Sequence, residues 1–381
     1  MSRKRKWTLL VCIIFTISLI GCSFKDNLAV EQNNGLSTSA LFVQEKIPLL
    51  KTMDATSLRC IEPYDKNIIY LTASKKDGKQ MGQEFVYATY SLSTKEIIPI
   101  HREVVSSDGI KNTDVYQVSE HKTKFFTGQQ LFTLENNKVI NINNITGDKY
   151  SVSVNLQNDT MVYIDKEPPS IFYKSINDKN GNEIIKSKEI EAEGKKSILF
   201  PYLAQLNKEG NKIIYGKAID SAGLYQTVCI CSTDGTLLAE TNQLDINADY
   251  LDVLWYDDGF ITIETTDCYI SSPTGLATIL TKYNENAEET NRTVLHGVAS
   301  NYQREFFPNM PLFAFSYQTD STNGLAIWDA ETGSAYYVCD MDGYNLSPTI
   351  TPEGEKLLWL NDDSLYVENI DLNRYEKIPI Y

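Results

Sequence analysis

From residue 43 onward, short apolar segments are separated by short polar ones. Within most apolar segments, apolar and polar side chains alternate residue by residue, which is typical of half-buried β-strands. The polar segments between them are rich in Gly, Asn and Asp, the residues that tight hairpin turns require. The pattern therefore predicts an all-β fold built from antiparallel hairpins.

The hairpin pattern recurs along the chain, with turns centred near residues 94, 147, 180, 235, 275, 333 and 373. The mean spacing is about 46 residues, and a period of about 40 to 50 with several strands per unit is typical of a β-propeller. We predict one β-propeller of four-stranded blades, with seven blades favoured and six possible. A β-sandwich, or two stacked β-domains, is the alternative, because its strands alternate in the same way. Residues 43–50 are expected to form either an added outer strand or one that closes the ring.

Two segments carry a more specific motif. The "SPDGKKIAF" element of TolB-like, WD-repeat-like propellers resembles residues 206–215 (LNKEGNKIIY) and 346–359 (LSPTITPEGEKLLW). The downstream element of that family, "IYVxDxxTG", is similar to residues 325–333 and 365–372. The acid of the "PDG" turn is replaced by Glu209 in one copy and by Glu353 in the other. The resemblance implies a propeller of this family, and it is strong in about two repeat units.

The first 22 residues follow a different pattern. Residues 3–6 are all basic, residues 7–20 form an apolar run too short for a comfortable membrane span, and the run ends in Leu-Ile-Gly-Cys at 19–22. This arrangement resembles the lipobox of bacterial lipoproteins, with an ordinary signal peptide or a single anchor as the alternative. The resemblance implies that the Cys22 sulfur receives a diacylglycerol and that cleavage leaves Cys22 as the first residue. Two acyl chains are enough for stable anchoring.

The domain organisation follows from these patterns. We predict a lipoprotein signal peptide over 1–21, a flexible tether over 22–42 and the β-propeller over 43–381. The mature protein is expected at the cell membrane, held in the lipid bilayer by the Cys22 acyl anchor and facing the extracytoplasmic side. Whether the host has one membrane or two stays open.

The net charge of the chain limits the classes of partner that it can bind. The full chain has a formal net charge of -15, and without residues 1–21 its 31 Lys and Arg face 50 Asp and Glu, a net charge of -19. No run of more than two basic residues occurs after residue 6. Because nucleic-acid binding draws most of its affinity from neutralised phosphates, we predict no nucleic-acid partner.

Cysteine and histidine spacing predicts no metal site and no cofactor. The body holds five cysteines, an odd and widely spaced set that we interpret as buried small residues, although one long-range disulfide stays open: Cys60, Cys229, Cys231, Cys268 and Cys339. The three histidines lie far apart in the sequence, so no zinc or facial-triad spacing occurs: His101, His121 and His296.

Candidate binding residues lie in longer loops, which we expect to share one face of the ring. Segment 301–310 sets aromatic residues beside an arginine, the types enriched at interface hot spots, and segment 220–225 offers a carboxylate and a phenol. The predicted ligand- or partner-binding residues are Asp220, Tyr225, Tyr302, Arg304, Phe306, Phe307 and Asp320. The alternative is that Phe306 and Phe307 plug the ring or pack beneath their loop.

No catalytic residues are predicted, because the chain lacks nucleophile-elbow, phosphate-loop and Rossmann motifs. The favoured hypothesis is a membrane-anchored lipoprotein whose propeller is a non-catalytic binding, scaffold or sensor module for a protein, peptide or glycan. The alternative is a propeller enzyme, a lyase or glycosidase with acids at the central channel. A structural accessory of an envelope complex is a third hypothesis.

Overall fold

The computed structural model describes residues 45–76, 82–106, 117–127, 130–145, 149–192, 194–219, 224–242, 250–257, 259–266, 275–303, 307, 310–319, 323–341, 346–361 and 364–380. The predicted signal peptide, the predicted tether and Cys22 lie outside these residues. The described chain begins with strand β1 (Glu45–Pro48) and a one-turn helix, α1 (Leu50–Met53). None of the described helices is long and apolar enough to cross a membrane.

The rest of the described chain is almost entirely β-structure and forms the seven blades of a propeller, as the repeat predicted. Blades 1 to 3 each have four antiparallel strands. Their bounds are β2 (Ser57–Pro63), β3 (Ile68–Lys76), β4 (Gly82–Ser91), β5 (Ile97–Ser106); β6 (Gln117–Val118), β7 (Lys124–Phe126), β8 (Gln130–Glu135), β9 (Lys138–Asn144); β10 (Tyr150–Asn155), β11 (Thr160–Asp165), β12 (Ser170–Ser175) and β13 (Asn182–Ile185).

Blades 4 and 6 each carry one strand more than four, and blades 5 and 7 have four. Blade 4 consists of β14 (Lys188–Ala192), β15 (Lys195–Leu206), β16 (Lys212–Ile219), β17 (Leu224–Ser232) and β18 (Leu237–Glu240). Blade 5 consists of β19 (Tyr250–Tyr256), β20 (Gly259–Thr266), β21 (Ala277–Tyr283) and β22 (Glu289–Leu295). The last strands are β23 (Val298–Ser300), β24 (Leu312–Gln318), β25 (Asn323–Asp329), β26 (Ala335–Asp340), β27 (Leu346–Ile350), β28 (Lys356–Asn361), β29 (Ser364–Asn369) and β30 (Glu376–Lys377).

The ring is closed by the amino end of the chain. β1 supplies the fourth strand of blade 7 by pairing antiparallel with β29, so that Glu45 lies opposite Val367. The carboxyl end crosses back instead: after a 3-10 turn at Leu372–Arg374, β30 pairs with the outer edge of β26 in blade 6. Within the predicted segment 43–50, β1 is therefore ring-closing, which was one of the two predicted roles. The predicted hairpin at 373 does not exist, because β29 and β30 belong to different blades.

Two other predicted hairpin turns have a different place in the repeat. The turn near 147, whose residues 146–148 lie outside the described ones, connects blade 2 to blade 3, and the turn near 275 connects the second and third strands of blade 5. The turns near 94, 180, 235 and 333 do join third and fourth strands. Turn residues indicate where the chain reverses, but they do not indicate which two strands the turn joins. The predicted number of blades was therefore right, whereas the turns near 147, 275 and 373 were assigned to the wrong strands.

The motif segments close the turns between first and second strands. Asn207 Oδ1 accepts the backbone N–H groups of Asn211 and Lys212, both at 2.9 Å, and Thr351 Oγ1 accepts that of Lys356 at 3.1 Å. Gly210 sits within the first of these turns with a φ of +70°, a conformation that costs glycine little. A short polar side chain at the end of the first strand thus fixes the reversal into the second.

The core lies between neighbouring blades, whose apolar faces pack against one another. Its largest fully buried side chains include Trp328 and Trp359. Four cysteines are buried free thiols, as predicted, and Cys268 lies outside the described residues: Cys60, Cys229, Cys231 and Cys339. Burial raises the pKa of Cys231 and of Cys339 to about 12, so these thiols stay protonated and unreactive.

Candidate functional site

The two faces of the ring carry different connections. Because the strands of each blade are antiparallel, blade-to-blade links and the links between second and third strands share one face, here called the connection face. The links between first and second strands, and between third and fourth, share the opposite turn face. β16 and β17 meet at the connection face, whereas β23 and β24 are joined across the turn face.

The predicted binding residues that the structure describes therefore divide between two faces, which corrects the expectation of one shared face. Tyr302 and Phe307 lie between β23, a first strand, and β24, a second strand, and so belong to the turn face, whereas Tyr225 is in β17, a third strand that begins at the connection face. Asp220, Asp320, Arg304 and Phe306 lie outside the described residues, and the side chain of Tyr225 is likewise not described.

The two described members of the turn-face group make contacts within the fold. The Tyr302 hydroxyl donates to Asp252 Oδ2 at 2.5 Å, and its ring is tilted against that of Phe313 with centroids 5.8 Å apart. Phe307 is half-buried against the core between blades 6 and 7, which contains Trp359. This is the packing role that the sequence left open for Phe307. Both residues stabilise blade 6 and its neighbours.

The first strands of the blades form the inner wall of the ring, and they bond to one another. Ser151 and Ser153 in blade 3 accept the backbone N–H groups of Ala204 and Leu206 in blade 4, at 2.8 and 3.1 Å. The indole N–H of Trp255 in blade 5 donates to a carbonyl oxygen of the same β15 strand at 3.2 Å. Side chains of neighbouring blades therefore satisfy part of the backbone of this wall.

Four of the inner strands contain a bulge in their pairing with the second strand. The ladder register shifts between Leu58 and Cys60, Tyr150 and Ser153, Pro201 and Leu203, and Leu346 and Thr349. A bulge inserts an unpaired residue and re-aims its side chain, and bulges are over-represented next to functional sites. Arg59 and Tyr202 are residues that these bulges leave unpaired.

Arg59 is the exposed charge of this wall. Within the described parts of the first strands, the charged side chains are Arg59, Glu62 and Asp252, apart from two lysines at the projecting end of β15. Glu62 is buried, at 6% exposure, and Asp252 accepts the Tyr302 hydroxyl. Arg59 is exposed and makes no hydrogen bond or ion pair with another described residue. A guanidinium in this state suits a carboxylate, sulfate or phosphate group, which it binds through two parallel hydrogen bonds.

Sequence patterning missed Arg59, although a signal was present. Leu58 and Ile61 pack into the same core cluster but are three residues apart, a spacing that an unbroken strand does not allow. The irregular spacing indicates a bulge, and the arginine sits inside it.

The described part of the chain contains no candidate metal site. No three His, Cys, Asp or Glu side chains among those residues lie close enough to hold a metal ion. The histidines belong to blade 1, to the turn after β6 and to the link between blades 5 and 6. Burial lowers the pKa of His101 and of His296. The arrangement offers an anion-binding side chain on a rigid wall, with no described acid and base paired across it.

Comparison with known proteins gives the fold and no more. No family model and no curated protein matches the chain. Solved structures do match it, but at a sequence identity so low that the match shows the fold alone. Hydrazine synthase from Kuenenia stuttgartiensis is 9% identical over 84% of this chain and 97% of that chain, with a TM-score of 0.53. The propeller of Dos1 is 10% identical over 83% of this chain and 93% of that chain, with a TM-score of 0.46. Many unrelated activities use this architecture, so the likeness assigns none of them to this chain.

Proposed function

We propose that this protein is a bacterial lipoprotein, anchored through Cys22 on the extracytoplasmic side of the membrane, whose propeller binds a protein, peptide or glycan without changing it chemically. The charged side chains of the inner wall are the observation that supports the binding role. Its exposed charge is Arg59, one of its acids is buried, and the other is hydrogen-bonded to Tyr302. A glycosidase needs two carboxyl groups facing one bond, about 5 to 10 Å apart. The described wall therefore favours binding over the enzyme alternative.

The position of β1 is compatible with the proposed anchor. Pro48 pairs with Ser364, the residue at which β29 starts at the connection face. Because β1 runs antiparallel to β29, its other end, Glu45, lies toward the turn face on the outer edge of blade 7. A tether that precedes Glu45 would join the ring at its rim.

The anchor is tested by replacing Cys22 in the full chain and following the protein through membrane fractionation. We expect the unaltered chain to stay with the membranes and its first mature residue to carry the mass of a diacylglyceryl group. Cys22→Ser should lose that mass, whereas Cys12→Ser, inside the apolar run, should keep it. A Cys22→Ser protein that retains the lipid, or an unaltered chain without it, would overturn the anchor.

The binding role is tested by capturing partners from envelope extracts with the full lipidated chain. Arg59→Ala should reduce recovery of a genuine partner at least tenfold, because losing a charge-assisted bidentate contact costs about 1.5–3 kcal/mol or more. Arg292→Ala is the matched control, since that arginine is exposed on the outer strand β22. Equal recovery by both variants would exclude the inner wall as the site. Chemical conversion of a captured glycan would instead support the enzyme alternative.

A further inference from the structure

Exposed apolar side chains are concentrated on one flank of the ring. Among the described residues, seven large apolar side chains are exposed. Of these, Leu237 and Leu238 lie on β18 in blade 4, and Ile380 follows β30. The other four belong to the outer strands of blades 1 and 2: Ile98, Val104, Ile140 and Ile142. Exposed apolar surface that gathers in one region of a protein marks a contact with a partner or a membrane.

Two of these isoleucines lie on sides of blades 1 and 2 that face each other. Ile98 pairs with Thr89, on the side of blade 1 that carries Tyr87. Ile142 pairs with Phe132 of blade 2. The rings of Tyr87 and Phe132 pack in one core cluster, with centroids 5.2 Å apart. The isoleucines therefore border the outer opening of this cluster, and together with the neighbouring Ile140 they form what is here called the flank patch. Val104 lies on the opposite side of β5.

The proposed anchor enters the ring beside the flank patch. Glu45, the first described residue, forms an ion pair with Lys95, which lies in the turn just before β5. The 22 residues between Cys22 and Glu45 have a flexible reach of about 25 Å. In a ring of seven blades, blade 4 lies opposite the junction of blades 7 and 1. Leu237 and Leu238 are exposed in a similar way to the flank patch, but they lie on the far side of the ring from the anchor.

We propose that the flank patch rests on the lipid bilayer to which the chain is anchored, with its isoleucines in the interfacial layer of the membrane. This inference rests on the anchor of the proposed function and adds the part of the ring that the membrane contacts. Removing apolar surface from water is favourable, and apolar faces bind membrane interfaces in this way. A short tether holds the nearest surface at a high effective concentration, so that a contact too weak to recruit a free protein is populated.

The charged side chains of β5 are engaged within the fold. Glu103 accepts a hydrogen bond from the hydroxyl of Tyr87 at 2.7 Å, and Arg102 donates to the carbonyl oxygen of Met53 at 2.8 Å. β9 carries one charge, Lys138, at its first residue. The net charge of -15 gives the protein no overall attraction to anionic lipids. The contact therefore depends on apolar burial, and zwitterionic vesicles are the appropriate probe.

Quenching of a site-attached dye by lipid tests the contact. The full lipidated chain is reconstituted in phosphatidylcholine vesicles that contain a nitroxide-labelled lipid, and a thiol-reactive dye is attached through Ile140→Cys. We expect the lipid to quench this dye at least threefold more strongly than a dye attached through Leu238→Cys. Leu238 is the matched control, because it is 53% exposed on the opposite side of the ring. The four described cysteines are buried, and the unaltered chain treated with the same dye gives the background.

A second substitution separates a specific contact from chance collision. Ile98→Asp, added to Ile140→Cys, should reduce the quenching at least threefold, because a charged carboxylate resists removal from water. Leu237→Asp, added to Ile140→Cys, should leave the quenching unchanged. Equal quenching at the two dye positions, or no effect of Ile98→Asp, would overturn the proposal. A dye at position 140 that is protected from iodide in the water but not quenched by the lipid would do so as well, because a protein would then cover the patch.

A different tether separates this inference from the proposed anchor. The Cys22→Ser chain, with an amino-terminal histidine tag, is held on the same vesicles by a nickel-chelating lipid. Quenching at position 140 in that chain supports the flank contact whether or not Cys22 is lipidated in the unaltered protein. Absence of quenching, while the chain stays on the vesicles, would overturn the flank contact and leave the anchor standing.

Discussion

Trp328 of blade 6 donates its indole N–H to Thr293 Oγ1 of blade 5 at 3.0 Å, and both side chains are fully buried. The same threonine hydroxyl donates to the carbonyl oxygen of Gly333 at 2.8 Å. One hydroxyl thus satisfies a donor and an acceptor of the next blade. Trp328 and Asp329 resemble a WD dipeptide in sequence, and this bond gives the tryptophan its structural partner.

Thr293→Val should destabilise the propeller by about 2–4 kcal/mol, because valine keeps the shape and leaves the indole N–H and the Gly333 carbonyl without a partner, each at about 1–3 kcal/mol. Thr281→Val is the matched control. Thr281 is also fully buried in blade 5, but its hydroxyl has no hydrogen-bond partner among the described residues. Urea unfolding should show a change of less than about 1 kcal/mol for Thr281→Val, which can be stabilising. Equal losses in both variants would contradict the bridging role.

Glu368 is a carboxyl group that burial disfavours in its charged form. It is 3% exposed, and burial raises its pKa, partly offset by the hydrogen bond from the Tyr375 hydroxyl. Because the pKa of Glu368 is higher in the folded than in the unfolded chain, the folded protein loses stability as the pH rises through the folded-state pKa. Below the pKa of an unfolded glutamate, about 4.3, the carboxyl group is protonated in both states and the cost of burying its charge is absent. Glu368→Gln should therefore be more stable than the unaltered chain at pH 7 and no more stable at pH 4.

Thermal unfolding of both proteins from pH 4 to pH 8 measures this difference. Glu376→Gln serves as the control, because Glu376 is exposed in β30 near the same turn. A difference between Glu368→Gln and the unaltered chain that is constant over this range would show that Glu368 does not titrate as described.

Met53 tests how much the ring depends on its amino-terminal segment. It is buried, at 2% exposure, in the core between blades 7 and 1, and its carbonyl oxygen accepts a hydrogen bond from Arg102 Nη2 at 2.8 Å. Met53→Ala should cost about 2–5 kcal/mol of unfolding free energy through the cavity it leaves. The neighbouring Thr52 is exposed, so Thr52→Ala should change stability by less than about 0.5 kcal/mol. A small effect of Met53→Ala would mean that this segment contributes little to closure.

Gly216 and Tyr202 should be energetically coupled in blade 4. A Cβ atom at Gly216 would lie 2.1–2.3 Å from atoms of the Tyr202 side chain, so Gly216→Ala must displace that side chain. We expect Gly216→Ala to cost about 1–3 kcal/mol in the unaltered chain and close to zero in Tyr202→Ala. A double-mutant cycle by denaturant unfolding measures the coupling, and additive losses would contradict the contact.

The fold was largely predictable because its signals are local. Strand alternation and turn residues act over a few positions, and they predicted the antiparallel hairpins and the blade count that the structure has. The partner of the carboxyl-terminal strand was not predictable in this way. β30 has only two residues, and its pairing with Tyr336 and Tyr337 depends on where the whole chain has turned.

The candidate site was less predictable than the fold. Loop length and aromatic content pointed to Tyr302 and Phe307, whose described contacts are structural. Arg59 lies in a short strand, and its exposure results from a bulge whose register depends on pairing with β3. Such a feature belongs to the assembled sheet, which neither composition nor periodicity describes.

The closing pair also makes completion of the chain a condition for folding. β1 pairs with a strand more than 300 residues further along, and the amino end is synthesised first. β1 therefore stays unpaired until β29 has been synthesised. During that time its two charged residues and its proline disfavour pairing with strands of other chains. A polypeptide whose synthesis stops before residue 364 has no strand with which β1 can pair. Its ring cannot close, so we expect proteases to degrade it faster than the full chain.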